Sequence, residues 1–579
     1  MSSDSHIRPP LARRLLRAHL CAALFGLLAF FSFAPFGQFY LAWLAPVPLL
    51  WSASRARGPW RAFGAGYVAG LCYFGSSLWY IVVLGIFPVL GLTAYLAVYV
   101  GLFAMIWRPL ASRPLLGVVG AATVWVGLEW LRGVMFTGLP YVFLGHSQSP
   151  LLAGIQVADG LGAYGVSWWT MLLAATLWQV AEWGVPVVRA RRERARQMLV
   201  RPRNGLTSEA PPEPGEPTTS VTTLIPTLLV TLAVLAGVFG YGFWRLGETI
   251  RTPGPRVMLL QPNFPLRNDT PLDEPAYLAW HRDTTRDALA AEEGRVDLVV
   301  WSESVLPYVN PESRSVPFRA EYRRDLVATD ALLRQVSRGR PSVIAGGGYA
   351  AGWAERDGGR LAPADRRNSA YFYAGGEQSP QRYDKRHLVP FGEYMPFRTW
   401  PAPVGWLYPL FTLFHPWGSD WELTAGGTRD VFLLPGGARA VTPICFEDIV
   451  PERVRELVYD DAGVKRADVI VNVTNDGWFR GTQQAQHLQA ALFRSVENRA
   501  PTVRAVNTGI SAVVDSTGRV VEQLAAHEPG VLVATVPLDE RSTLFGRVGD
   551  AFAIVCATAT LLVAMLNLAR RFVRRKSQT

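Results

Sequence analysis

Three residues in the second half of the chain carry the side chains that acyl chemistry needs: a carboxylate at Glu303, an ammonium at Lys385 and a thiol at Cys445. A thiol attacks a carbonyl as its thiolate, and a neighbouring carboxylate can take the proton as general base. A fixed ammonium can stabilise the charge that develops on the tetrahedral intermediate. Cys445 is the one cysteine between residues 245 and 550, so it has no local partner for a disulfide. Cys21, Cys72 and Cys556 lie in apolar runs and read as packing residues. Taken singly, the three candidates have bland readings: a surface glutamate, a solvated loop lysine and a buried small residue. Spacing alone does not establish a triad. No His/Cys/Asp cluster has metal-ligand spacing, and no Walker or dinucleotide loop follows a strand, so no cofactor or metal is expected.

The elements that must position these groups read as an α/β domain. Strand-like runs are Val257–Leu260, Leu298–Trp301, Val343–Ala345, Ala370–Tyr373, Ala440–Ile444, Val469–Val473 and Ala512–Val514, with helical patterns between several of them. Glu303 comes just after the second run, and Cys445 directly after the fifth. Lys385 lies in the polar stretch YDKRHLVPFGEYMP that follows Ala370–Tyr373. Ligands and chemistry gather beyond the carboxyl ends of strands in such sheets, so the three can converge there.

The rest of the chain is of a different kind. Of its 579 residues 50% are hydrophobic, 12% aromatic and only 18% charged, against about a quarter charged in soluble domains. Apolar stretches near 16–34, 39–53, 64–86, 89–107, 115–137, 165–184, 223–244 and 550–569 are candidate membrane spans. The net charge of +11 suggests nucleic acid only if it forms a basic face, and it does not. Arg8, Arg13, Arg14 and Arg17 precede the first span; Arg55, Arg57 and Arg61 precede the third; Arg108 and Arg113 precede the fifth. Arg189, Arg191, Arg192, Arg194 and Arg196 follow the sixth, and a basic tail follows the last. All these clusters are cytoplasmic under the positive-inside rule only with eight spans. Both termini are then cytoplasmic, the first basic-apolar segment is an uncleaved anchor, and residues 245–550 lie outside the membrane. The expected organisation is a membrane domain over 1–245 with seven helices, a catalytic domain over 256–540, an eighth helix at 550–569 and a basic tail at 570–579. Residues 206–223 read as a cytoplasmic linker.

VVWSESVLP, YDKRHLVPFGEYMP, PICFEDIVPE and NVTNDGWF resemble the blocks of the nitrilase, or carbon–nitrogen hydrolase, superfamily. The resemblance implies an αββα sandwich with Glu303 as proton acceptor, Lys385 as oxyanion stabiliser and Cys445 as nucleophile. It also implies a supporting role for the second carboxylate, Glu393. Glu447 is a weaker supporting candidate, for which a structural hydrogen-bonding role is at least as well motivated. FAPFG at 33–37 and EWLRGVMFTGLPYVFLGHSQ at 129–148 are similar to segments of the apolipoprotein N-acyltransferase branch. That branch implies transfer of a fatty acyl chain from a membrane phospholipid to a diacylglyceryl apolipoprotein, in the bacterial inner membrane, with the catalytic domain on the periplasmic side. Ser302, Phe446 and the segment 261–269 depart from the family pattern, and none touches the triad.

Two rival classes are a membrane-anchored amidase acting on a small amide, and a receptor or transporter with a decayed domain. Phe397, Trp400, Trp406, Phe411 and Trp417 stand in an aromatic segment, 397–421, that reads as a lipid-guiding arm. Glu129 and Arg132 can pair within one helix, His146 reads as a packing residue, and Asn475 and Asp476 read as a turn after a strand.

Overall fold

The computed structural model describes residues 11–199, 224–248, 252–264, 274–293, 295–314, 320–356, 360–377, 379–396, 401, 405, 422–479 and 481–576. The aromatic segment 397–421 lies almost wholly outside them. Helices Leu11–Ser32, Pro59–Ser77, Ile86–Trp107, Pro114–Val134, Ala158–Leu199, Ile225–Gly247 and Ala551–Lys576 form a bundle. Among the described residues four stretches are long and apolar enough to cross a membrane: Ile86–Leu110, Pro114–Val134, Ile225–Gly247 and Ala551–Val573.

Several expected spans have other bounds. The stretch 39–53 is two short helices, Leu41–Leu44 and Pro46–Ser54, because Pro46 lacks the N–H that would continue the first. Together they rise about 21 Å at 1.5 Å per residue, less than a bilayer core of about 30 Å. The third begins earlier, with Pro59 in its first turn, and stops at Ser77 before a 3₁₀ segment, Trp79–Leu84. The sixth runs from Ala158 to Leu199, because the arginine-rich stretch after it remains helical, and it breaks at Gly162 (φ 67°).

Close approach between helices rests on glycine. A side-chain carbon added at Gly66 would lie 2.4 Å from the Val100 carbonyl oxygen, and at Gly70 2.6 Å from the Ala97 Cα. Small residues let helix backbones meet where lipid supplies no hydrophobic drive.

The second half is a sandwich of two six-stranded sheets. Its strands are β1 (Thr252–Gln261), β2 (Leu298–Leu306), β3 (Ser342–Arg356), β4 (Arg360–Tyr373), β5 (Gln381–Asp384), β6 (Phe432–Leu433), β7 (Arg439–Val441), β8 (Val469–Thr474), β9 (Thr502–Val506), β10 (Ala512–Val514), β11 (Val520–Gln523) and β12 (Gly530–Leu538). One sheet has the order β12-β1-β2-β3-β4-β5 and the other β11-β10-β9-β8-β7-β6. Strand alternation sends Val257, Leu259, Val300, Ile344 and Phe372 inward from the first, against Phe432, Ala440, Val471 and Val503 of the second. Met258, Leu260 and Tyr371 face outward, towards helices Glu274–Ala291 and Ala320–Val336. Helices Pro451–Val458 and Gln483–Asn498 flank the second sheet, completing four layers.

Helix Gln483–Asn498 is polar yet buried along nearly its whole length, because its other side meets the helical bundle. Tyr141 Oη donates to the Gln483 carbonyl at 3.1 Å, and the Ala163 N–H donates to Glu497 Oε1 at 2.8 Å. At its end Arg499 pairs with Asp159 at 2.7 Å. A Gly70→Leu substitution should force helices Pro59–Ser77 and Ile86–Trp107 apart and lower unfolding stability by about 1–3 kcal/mol. Gly91→Leu, on an open face with nothing within 4 Å, should leave the thermal midpoint unchanged, as measured by nanoscale calorimetry in detergent.

Candidate active site

The site forms where the two sheets meet at their strand ends. Strand β2 extends past its expected end to Leu306, so Glu303 lies within it, not after it. Its pairing with β3 slips between Trp301 and Leu306, and Ser304 there has φ 60°. The slip turns Glu303 inward, and Gly346 of β3 allows it: a side chain there would come within 2.6 Å of the Glu303 Cα. The run at 440–444 pairs continuously only over Arg439–Val441, with one more bridge at Ile444–Val473, because the chain is already leaving the sheet. Cys445 then opens a 3₁₀ turn, Cys445–Ile449, at φ 50°. A non-glycine residue held in that region stores strain that the surroundings must sustain, which is common at reactive centres.

The structure brings Glu303, Lys385, Glu393 and Cys445 together. Lys385 Nζ lies 2.8 Å from Glu393 Oε1 and 3.9 Å from Glu303 Oε1. Asn368 Nδ2, from β4, donates to Glu303 Oε1 at 2.7 Å and to Glu393 Oε1 at 3.1 Å. The Asn475 N–H, at the end of β8, donates to Glu303 Oε2 at 2.7 Å. Glu393 also accepts the Val389 N–H at 2.8 Å, which curls the loop that carries it. The Cys445 thiol and the Glu303 carboxyl are close enough to act on each other's ionisation.

Burial sets the electrostatics. It pushes the Glu303 carboxyl above the ordinary carboxylate range, against the pull of Lys385 and with the push of Glu393. Burial also pulls on the Lys385 ammonium, but Glu393, Cys445 and Glu303 outweigh it and hold the lysine protonated. The Cys445 thiol is raised well above its usual value by burial and by Glu303, with Lys385 opposing. The resting state is therefore a neutral thiol beside a carboxylate of raised basicity and a fixed cation. That arrangement suits passing a proton from sulfur to carboxylate.

Glu447 stands apart from the Glu303–Lys385–Cys445 cluster. It accepts the Arg386 and His387 N–H groups at 2.8 and 2.9 Å, the Ile444 N–H at 2.8 Å and the Tyr383 hydroxyl at 3.0 Å. It fastens the loop after Lys385 to the turn before Cys445. Asn368 was not legible, because the expected strand began two residues after it. Its signal is the alternation that puts it on the inward face with Ala370 and Phe372. Asn475 does more than make a turn, since its N–H orients the carboxylate.

Glu129 and Arg132 turn to other partners than each other. Glu129 Oε1 accepts the Leu144 N–H at 2.7 Å, and Arg132 donates to the Leu139 and Tyr141 carbonyls at 2.9 and 2.8 Å. His146 accepts the Phe143 N–H at 3.3 Å and packs on Phe493. Among the described residues no group of three or more His, Cys, Asp or Glu side chains is placed to hold a metal ion.

Residues 25–176 match the apolipoprotein N-acyltransferase N-terminal domain, and residues 256–544 match the carbon-nitrogen hydrolase family. An apolipoprotein N-acyltransferase of Geobacter metallireducens is 32% identical over 97% of both chains. The chain belongs to the apolipoprotein N-acyltransferase family. A second relative of that name, from Bradyrhizobium diazoefficiens, is 29% identical over 95% of both chains. The family membership makes this an acyltransferase with a nitrilase-like sandwich, and with its apolar helices a membrane protein. A solved amidase from Nesterenkonia sp. is a distant neighbour, 22% identical over 51% of this chain and 94% of that one, with a TM-score of 0.34.

Asn368→Ala should leave the fold intact and slow alkylation of Cys445 by iodoacetamide roughly 10- to 100-fold, because Glu303 loses the donor that aims it. Peptide mass spectrometry of the Cys445 fragment over time reads this directly.

Proposed function

We propose that the protein transfers a fatty acyl chain from a membrane phospholipid to the α-amino group of the N-terminal S-diacylglyceryl-cysteine of an apolipoprotein. The observation that carries this is the meeting of carboxylate, ammonium and thiol in one buried cluster, in a chain of this family. Glu303 takes the Cys445 proton, and the thiolate attacks the ester carbonyl of the phospholipid. Lys385, aimed by Glu393, stabilises the oxyanion. The intermediate collapses to a thioester, and the departing lysophospholipid oxygen recovers the proton from Glu303. The acceptor amine then attacks the thioester, its proton passes to Glu303 and on to the leaving sulfur, and an amide is formed. Burial keeps water from the thioester, so the acyl chain reaches the amine and not solvent.

The placement of the chain follows the same reading. Eight passages through the bacterial inner membrane, with Leu41–Ser54 as a short one, put both termini in the cytoplasm. The membrane domain spans 1–245, the catalytic domain 256–540 faces the periplasm, and 550–569 re-enters the bilayer ahead of the basic tail 570–579. The distribution of arginines supports this. Both substrates are lipid-anchored, so a reactive centre held at the bilayer surface meets them without extracting either.

In proteoliposomes holding phospholipid labelled in its acyl chain, the label should appear on the amine of a diacylated lipopeptide. Cys445→Ala and Glu303→Gln should transfer nothing above background. Because burial raises the Glu303 carboxyl, the acid limb of the rate profile should lie above the ordinary value of 4.5. Transfer by Cys445→Ala at the wild-type rate would refute the reading.

A further inference from the structure

Behind Cys445 lies a second buried charge cluster that the reaction above does not use. His487, on helix Gln483–Asn498, sits between two carboxylates: Nε2 is 2.8 Å from Asp448 Oδ1 and Nδ1 is 2.8 Å from Asp476 Oδ1. Carboxylate oxygens accept only, so each ring nitrogen must carry a hydrogen and the ring is an imidazolium. Arg504, on β9, contacts Asp448 through Nη1 and lies 3.6 Å from Asp476 Oδ2 through Nη2. Gln483 Nε2 donates to Asp476 Oδ1 at 3.0 Å. All four ionic side chains are buried, and two cations balance two anions.

The two carboxylates occupy telling places. Asp448 belongs to the same 3₁₀ turn as Cys445. Asp476 follows Asn475, whose N–H holds Glu303. We propose that His487 is a positioning residue for acyl transfer: its imidazolium clamps the turn that carries Cys445 to the loop that aims Glu303. Without it Asp448 and Asp476 would face each other with Arg504 alone, and repulsion between them would part the nucleophile from its base. Asp476 also bears on Cys445, where its charge opposes the thiolate, and His487 and Arg504 offset that charge. Asp448 and Asp476 hold the ring protonated against burial, up to a pKa of about 9, so the clamp is intact at neutral pH. The helix that carries His487 is docked on the membrane bundle through Tyr141 and Glu497. The bundle therefore fixes the clamp.

This inference rests on Cys445 and Glu303 acting as nucleophile and base, and a test free of lipid separates the two readings. In the full chain in detergent, iodoacetamide alkylation is followed at the Cys445 peptide for wild type, His487→Leu and His487→Gln, beside thermal unfolding. His487→Leu should lower the melting point and, assayed well below that lowered midpoint, should alkylate Cys445 roughly tenfold more slowly or worse. His487→Gln, which keeps one donor, should fall between them. In proteoliposomes the same variants should lower kcat and leave KM for phospholipid unchanged. Alkylation at the wild-type rate, or a rise in KM alone, would overturn the proposal. If His487→Leu does not fold, His487→Gln decides on the same readings, and its unfolding would make the group a stability determinant and overturn a positioning role. Slow alkylation together with absent acyl transfer in wild type would keep the clamp and refute the lipid reading.

Discussion

A lysine ammonium with no exposure to solvent is the constraint on which the rest depends. Lys385 cannot be buried unless its charge is met, and removing one partner of such a group costs about 3–5 kcal/mol. Glu393 meets it at 2.8 Å and Glu303 at 3.9 Å. Two carboxylates so close repel each other unless something donates to both, and Asn368 does. All four residues come from the first sheet and the loops that follow it. The second sheet supplies the thiol and the Asn475 N–H. Closing the sandwich is therefore what assembles the cluster, and Glu447 is its fastening, with donors from the Lys385 side and the Cys445 side.

The same closure explains why a polar helix can be buried. Helix Gln483–Asn498 fills the gap between the second sheet and the bundle, and its ionic groups are met on both sides. Arg499 reaches Asp159 of the bundle, while His487 reaches Asp448 and Asp476 of the sandwich. The helical half is thus also a wall of the sandwich.

What the sequence disclosed follows from how local each signal is. Apolar strands such as Val257–Leu260 and Val469–Val473 are buried on both faces and stand out by composition. Strand β9 did not, because Arg504 interrupts it and is compensated only by partners distant in sequence. Glu303, Lys385 and Cys445 were legible as residue types and through the family resemblance, while their meeting is a matter of register. The slip in β2 that turns Glu303 inward depends on Gly346, more than 40 positions on, and no periodicity reports it. Asn368 and the His487 clamp are likewise tertiary: each is an ordinary polar residue until two sheets or a helix and two loops surround it. The arginines set an expectation of eight spans, whereas among the described residues four stretches are long and apolar enough to cross a membrane. Helix bounds were not legible, since a proline or a glycine moves a helix end by several residues.

The central claim is that Cys445 carries the acyl chain as a thioester between donor and acceptor. Mass spectrometry of the Cys445 peptide, taken from protein incubated with phospholipid vesicles and no acceptor, tests it most directly. The account predicts an added mass equal to the donor's acyl chain, released by hydroxylamine and lost when lipopeptide is supplied. An unmodified Cys445 peptide in protein that nonetheless acylates the lipopeptide would contradict it.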